Sequence, residues 1–200
     1  LIIQQSNKKW VLAVEDIFSF TAGFLALASL NCTIILPPNL KQGAIEDIYY
    51  GDENILTDKS YESTRFFITS MPPFQATAEI LPIHQQISAP TNLPAPANCK
   101  LQMFTSGSSG EPKSITKTLQ NLEEELKVLE KNWGNLTDKT VFFSTVTHLH
   151  IYGLLFRLLW PLTTGRPFFN KNYLFPDELT KAMKSYAHIT LISSPAKSNC

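Results

Sequence analysis

The residues best placed to do chemistry run from Thr105 to Lys113, in the order TSGSSGEPK. Four hydroxyls (Thr105, Ser106, Ser108, Ser109), two glycines (Gly107, Gly110) and Lys113 fall within these nine positions. Such a stretch offers many backbone N–H groups and hydroxyl donors with little side-chain bulk, and it ends on a cation. That is the donor set a polyphosphate needs. Gly107 and Gly110 would let the backbone approach phosphate oxygens and adopt positive φ. The spacing is not that of a Walker A loop, and it is not GxGxxG. Ser and Gly are also the composition of a flexible turn or linker. Position argues against that reading. Leu101-Gln102-Met103-Phe104 reads as the end of a strand just before the loop, and a strongly amphipathic helix follows it.

A second cluster follows Thr145, in the order Thr147-His148-Leu149-His150-Ile151-Tyr152-Gly153. Two histidines at i and i+2 would share one face of a strand and raise the question of a metal. No third ligand stands at a suitable spacing, so no metal site is expected. His148 reads as a histidine hydrogen-bonded to backbone or solvated; His150 is the candidate for chemistry.

Strands and helices must position these residues. Trp10–Val14 reads as a short apolar strand, and Asp16 stands where it can cap a helix over Ile17–Leu30. A break at Asn31 leads to a buried strand Thr33–Leu36, which completes a β-α-β unit with parallel strands. Lys41–Tyr49 is a possible helix and Ile55–Thr57 a short strand. Phe66–Thr69 and Ala76–Ile83 are candidate elements, and Ser88–Ala97 is a proline-rich connector. Past the loop, Leu119, Leu122, Leu126, Leu129 and Trp133 share one helical face as core packing. Thr118 is the predicted N-cap of that helix and Gly134 its predicted stop. Then come a strand Thr140–Thr145 and an apolar helix Ile151–Leu159 ended by Pro161 and Gly165. A strand Arg166–Phe169, a helix Pro176–Tyr186 and a strand His188–Ile192 complete the pattern. The alternation predicts an α/β fold with a largely parallel sheet flanked by helices.

Composition narrows the function. Lys+Arg equals Asp+Glu at 17 each, and 44% of the 200 residues are apolar. This suits a buried core and calls for neither nucleic acid nor an anionic membrane. Ile17 to Leu40 carries no charge and is long enough to span a bilayer, but Asn31 and Pro37-Pro38 interrupt it. A helix followed by a buried strand is the better reading, so no membrane span is expected. The cysteines Cys32, Cys99 and Cys200 are odd in number and widely spaced, which suits a reducing cytoplasm.

The loop resembles, nearly letter for letter, the phosphate-loop signature of the acyl-adenylate-forming (AMP-binding) superfamily. Its usual form is TSG, Ser or Thr, Thr, Gly, any residue, Pro, Lys; Ser109 is the one departure and keeps the hydroxyl. His150, Tyr152 and Gly153 match that family's His-x-Tyr/Phe-Gly motif, which follows the loop at the end of a strand. Weaker similarity over Trp10–Asp16, Lys117–Gly134 and Ile189–Ala196 extends the resemblance over most of the chain. Within the superfamily the chain looks most like bacterial acyl-CoA or acyl-carrier-protein synthetases of fatty-acid- or polyene-like pathways.

The resemblance implies part of the large N-terminal domain of an adenylate-forming enzyme. Residues 1–98 would be its leading β-α-β region, and residues 99–200 would carry both motifs. It implies a ligase that joins a carboxylic acid, fatty or aryl in type, to the α-phosphate of ATP. The acyl group then passes to a thiol of CoA or of a carrier protein's phosphopantetheine, and Mg²⁺ accompanies ATP. Thr105, Ser106, Gly107, Ser108, Ser109, Gly110 and Lys113 would bind the phosphates. His150 would act at the acyl pocket, where an imidazole can hydrogen-bond a carboxylate or adenylate oxygen. The family's later Tyr-Gly-x-Thr-Glu stretch, ribose-binding Asp and catalytic Lys are not found in residues 154–200. The 200-residue chain alone is therefore expected to be inactive. Two alternatives stand beside this reading: a non-catalytic phosphate- or nucleotide-binding scaffold, and an unrelated enzyme with a coincidental loop.

Overall fold

A computed structural model describes residues 9–62, 67–71, 99–105 and 113–194. The possible element Ala76–Ile83, the connector Ser88–Ala97 and loop residues Ser106–Pro112 lie outside them. The first sheet holds β1 (Lys9–Ala13), β2 (Thr33–Leu36), β3 (Asn54–Thr57), β4 (Phe67–Ser70), β5 (Lys100–Thr105) and β6 (Lys113–Thr118), in the order β4-β3-β1-β2-β5-β6. All neighbours are parallel except β5 and β6. A second sheet pairs β7 (Val141–Ser144) with β8 (Ile189–Ile192) in parallel. The expected strand at Arg166–Phe169 is reduced to a single bridge, Phe142 to Phe168, beside β7.

Period-two burial explains the first sheet. Trp10, Leu12 and Val14 pack on one face with helix α1 (Ile17–Ser29), while Val11 and Ala13 pack on the other with Ile45 and Ile48 beside helix α2 (Gln42–Glu46). Asp16 caps α1 by accepting from the Ser19 N–H at 2.8 Å. The break at Asn31 has a physical form. Its φ is 55°, its N–H reaches Ala28 O at 3.0 Å, and the Cys32 N–H reaches Leu27 O at 3.0 Å. That is a Schellman ending with Asn in the left-handed position.

Three expectations need correction. The loop does not run from strand to helix, because β6 intervenes and the loop closes an antiparallel hairpin. Lys113–Thr118 is an edge strand with Ser114, Ile115 and Thr116 exposed, so it shows no hydrophobic alternation to read. Helix α3 (Leu119–Thr137) starts at Thr118 with a capping box to Asn121, but Gly134 does not stop it. Gly134 is buried within the helix. A Cβ there would lie 2.5 Å from the Glu130 Oε1 atom, and its carbonyl accepts from Arg166 Nη2 at 3.1 Å. Its φ is not positive, and the atoms nearest the added Cβ are the far end of the Glu130 side chain. The third correction concerns Pro161. Helix α4 (Ile151–Gly153), a π-helical segment (Leu154–Leu159) and helix α5 (Trp160–Thr163) form one continuous run, and Pro161 sits inside it. The Trp160 N–H reaches five residues back to Leu155 O, and this widened turn accommodates the proline. Gly165, at φ 68°, follows the end of the run. Helix α6 (Pro176–Met183) precedes β8 and is shorter than predicted.

Among the described residues, no helix is long and apolar enough to cross a membrane. Cys32 and Cys99 are both buried.

Candidate active site

Parallel strands deliver their C-terminal ends to one edge of a sheet, and the chemistry gathers there. Glu15 follows β1, Pro38 and Asn39 follow β2, and Lys59 follows β3. With the turn after β7 they line a cleft of about 740 Å³. His150 lines this cleft and also a second cavity of about 390 Å³, shared with Thr145, Tyr152, Gly153 and Ser194.

The N-terminus of α1 is where many α/β proteins hold a phosphate. Here that position is filled from within. The Asp58 carboxylate accepts from the Glu15 N–H at 3.0 Å and from the Asp16 N–H at 2.9 Å. Lys59 pairs with Glu15, which raises the lysine pKa.

The hairpin is the other strand-end position. Thr105 and Lys113 are register partners across β5 and β6, so they bracket residues 106–112 at the mouth of the loop. β5 lies beside β2 in parallel, which puts that mouth on the same sheet edge as Pro38 and Asn39. Ser106, Gly107, Ser108, Ser109 and Gly110 lie outside the described residues, and for Thr105 and Lys113 the backbone alone is described.

The two histidines differ. His148 is buried with its ring 4.4 Å from that of Phe20, and its Nε2 donates to Val14 O at 3.1 Å. A carbonyl can only accept, so Nε2 carries the proton and Nδ1 is left as an acceptor. Burial lowers its pKa to about 4. His148 is thus the expected backbone-bonded histidine. His150 is open to solvent at its edge, yet the surrounding cleft walls lower its pKa. It occupies the N-cap position of α4 without a side-chain cap bond, which leaves its ring free for the cavities.

Tyr152 and Gly153 have local reasons. The Tyr152 hydroxyl donates to Ser193 O at 3.1 Å, and its ring packs 4.7 Å from that of Phe156. At Gly153 a Cβ would lie 1.8 Å from Thr147 O. Only a residue without a side chain lets the helix sit this close to the turn.

Sequence reasoning passed over Arg157. Its guanidinium is buried, with Nη1 donating to Val146 O at 3.1 Å and Nη2 to Asn170 O at 2.7 Å. The available signal was one cation inside an otherwise apolar run, Leu154–Trp160. Among the described residues, no group of three or more His, Cys, Asp or Glu is placed to hold a metal ion.

The arrangement offers a solvent-accessible imidazole between two cavities, on the sheet edge that carries a hydroxyl-rich hairpin. Known proteins share the fold. The sequence pattern of the AMP-binding enzyme family matches residues 17–196. The medium-chain-fatty-acid–[acyl-carrier-protein] ligase JamA of Moorena producens is 36% identical over 64 residues, 32% of this chain and 11% of that protein. The corresponding ligase TtuA of Teredinibacter turnerae is 31% identical over 98 residues, 49% of this chain and 14% of that protein. The fold matches O-succinylbenzoate CoA synthetase (MenE) of Bacillus subtilis, solved with ATP and magnesium ion, at a TM-score of 0.67 and 16% identity. That match covers 94% of this chain and 50% of the other, so the chain spans about half the length of that structure. With the match running from residue 17 to residue 196 on this mostly parallel α/β fold, the chain belongs to the AMP-binding enzyme family.

Proposed function

We propose that residues 1–200 are the N-terminal portion of an ATP-dependent, AMP-forming ligase. It activates a carboxylic acid as an acyl-adenylate and passes the acyl group to a thiol. The observation that carries the reading is the hairpin TSGSSGEPK, bracketed by the Thr105–Lys113 pair on the sheet edge that also carries the cleft of His150. Residues 1–98 form the leading region, and residues 99–200 bear both motifs.

In the first step a carboxylate oxygen attacks the α-phosphorus of ATP, and the bond to pyrophosphate breaks. Negative charge grows on the leaving pyrophosphate. The backbone of Gly107 and Gly110, the hydroxyls of Thr105, Ser106, Ser108 and Ser109, and the Lys113 ammonium are the donors assigned to it. Mg²⁺ supplies further charge neutralisation when it arrives with ATP. His150 orients the carboxylate by hydrogen bonding. In the second step the thiol sulfur attacks the acyl carbon, and AMP leaves.

Two curated relatives carry the name medium-chain fatty acid–[acyl-carrier-protein] ligase, which favours a fatty acid and a carrier protein here over CoA. A cytoplasmic setting agrees with three cysteines that are odd in number and widely spaced. The test is acid-dependent ATP–pyrophosphate exchange by the complete protein over a panel of fatty and aryl acids. Exchange confined to particular acids supports the ligase. No exchange with any acid, from a folded protein, supports the alternative of a non-catalytic nucleotide-binding scaffold.

A further inference from the structure

Arg157 is 4% exposed, and burying a guanidinium is costly unless its donors are satisfied. Burial draws its pKa down to about 10, so it stays charged at neutral pH. The two hydrogen bonds it makes end on the backbone carbonyls of Val146 and Asn170, not on a carboxylate, and its buried Nε has no partner among the described residues. Those carbonyls belong to separate loops. Val146 lies just past β7, and Asn170 lies just past the bridge residue Phe168. Each loop lines both cavities, the first through Thr147 and His150 and the second through Asn172. A further bond, Tyr173 N–H to Ser144 O at 2.9 Å, holds the second loop to the end of β7.

The helix is built to deliver this side chain. Gly153 and Arg157 stand four residues apart and face the same backbone. Gly153 brings the helix against Thr147 O, and one turn later Arg157 reaches the adjacent Val146 O. Arg157 also lies within the π segment, an irregularity that recurs at functional sites. A core requirement alone would be met by an apolar residue, as at its neighbours Leu155 and Leu158. We propose that Arg157 is a positioning residue: by tying the Val146 and Asn170 carbonyls together it sets the spacing of the two loops that line the cavities beside His150, where the acid would bind. This rests on the acid-activating reading given above.

The experiment uses the complete protein with Arg157→Gln and Arg157→Lys, and it measures ATP–pyrophosphate exchange beside a thermal melt. Arg157→Gln is expected to raise the KM for the acid about tenfold or more while the KM for ATP stays within about twofold, because small displacements of positioning groups cost this much. Arg157→Lys is expected to recover part of the loss, since an ammonium can still bond one carbonyl. An unchanged acid KM overturns the proposal. So does a parallel change in both KM values and kcat that follows the melting temperature. If Arg157→Gln does not fold, Arg157→Lys carries the same measurement. If the wild type shows no exchange with any acid, the ligase reading fails by itself, and hydrogen exchange then tests the tie. Faster exchange confined to residues 145–150 and 170–173 in Arg157→Gln supports it; uniform or unchanged exchange overturns it.

Discussion

Gly153 sits so close to Thr147 that an added Cβ would lie 1.8 Å from the Thr147 carbonyl oxygen. That oxygen is backbone, so it cannot swing aside as a side chain would. Gly153→Ala must therefore push the helix from the turn or displace the turn that carries His150. The expected cost is about 1–3 kcal/mol or more from overpacking. Urea unfolding of the variant beside wild type measures it, and a stability within about 0.5 kcal/mol of wild type would contradict the close approach.

His148 gives stability a pH dependence. Its folded pKa is about 4, below the ordinary value of 6.5, because burial disfavours the charged ring. The unfolded chain therefore binds the proton first as pH falls. His148 contributes its full stability above pH 6.5 and loses it progressively down to pH 4. The loss attributable to this residue is on the order of 3 kcal/mol. His148→Gln is expected to flatten the stability profile across that window. Unfolding free energies at several pH values, for wild type and variant, check the difference in slope.

Asp58 is expected to matter for stability more than for phosphate binding. Its carboxylate satisfies the Glu15 and Asp16 N–H groups at the start of α1. Asp58→Ala removes this partner, and because water reaches the exposed Glu15 the cost should be about 0.5–1.5 kcal/mol. A chemical denaturation curve reads the effect. The affinity for ATP, measured by calorimetry on the complete protein, should stay within about twofold if the proposed phosphate donors are those of the hairpin.

Lys113 carries the clearest functional expectation. Lys113→Ala should reduce acid-dependent ATP–pyrophosphate exchange about 10²-fold, as loss of one donor to a developing anion does. Its melting temperature should barely move, since the substitution lies on an edge strand. Full exchange in this variant would remove the hairpin from the proposed chemistry.

Some of this was legible because it is local. The hydroxyl and glycine content of Thr105–Lys113, the Asp16 and Thr118 caps and the leucine face of α3 depend on residues within a few positions of one another. The run of apolar strands between helices likewise announced a mostly parallel sheet, since doubly covered strands bury both faces. The motif His150-x-Tyr152-Gly153 could be matched as letters, but its glycine had no visible cause.

Local pattern thus determined most element types, the α/β class and the family motifs. Tertiary structure decided what each motif residue faces. The hairpin pairing of β5 with β6 depends on an exposed edge strand that carries no hydrophobic signal. Gly134 reads as a helix stop until the helix is seen to run on past it, with its carbonyl accepting from Arg166. Asp58 meets Asp16 across 42 positions, and His148 meets Val14 across 134. Arg157 changes from an odd cation in an apolar run to a tie between two loops once both carbonyls are in place. Such contacts join partners brought together by chain folding, and spacing along a single sequence holds no record of them.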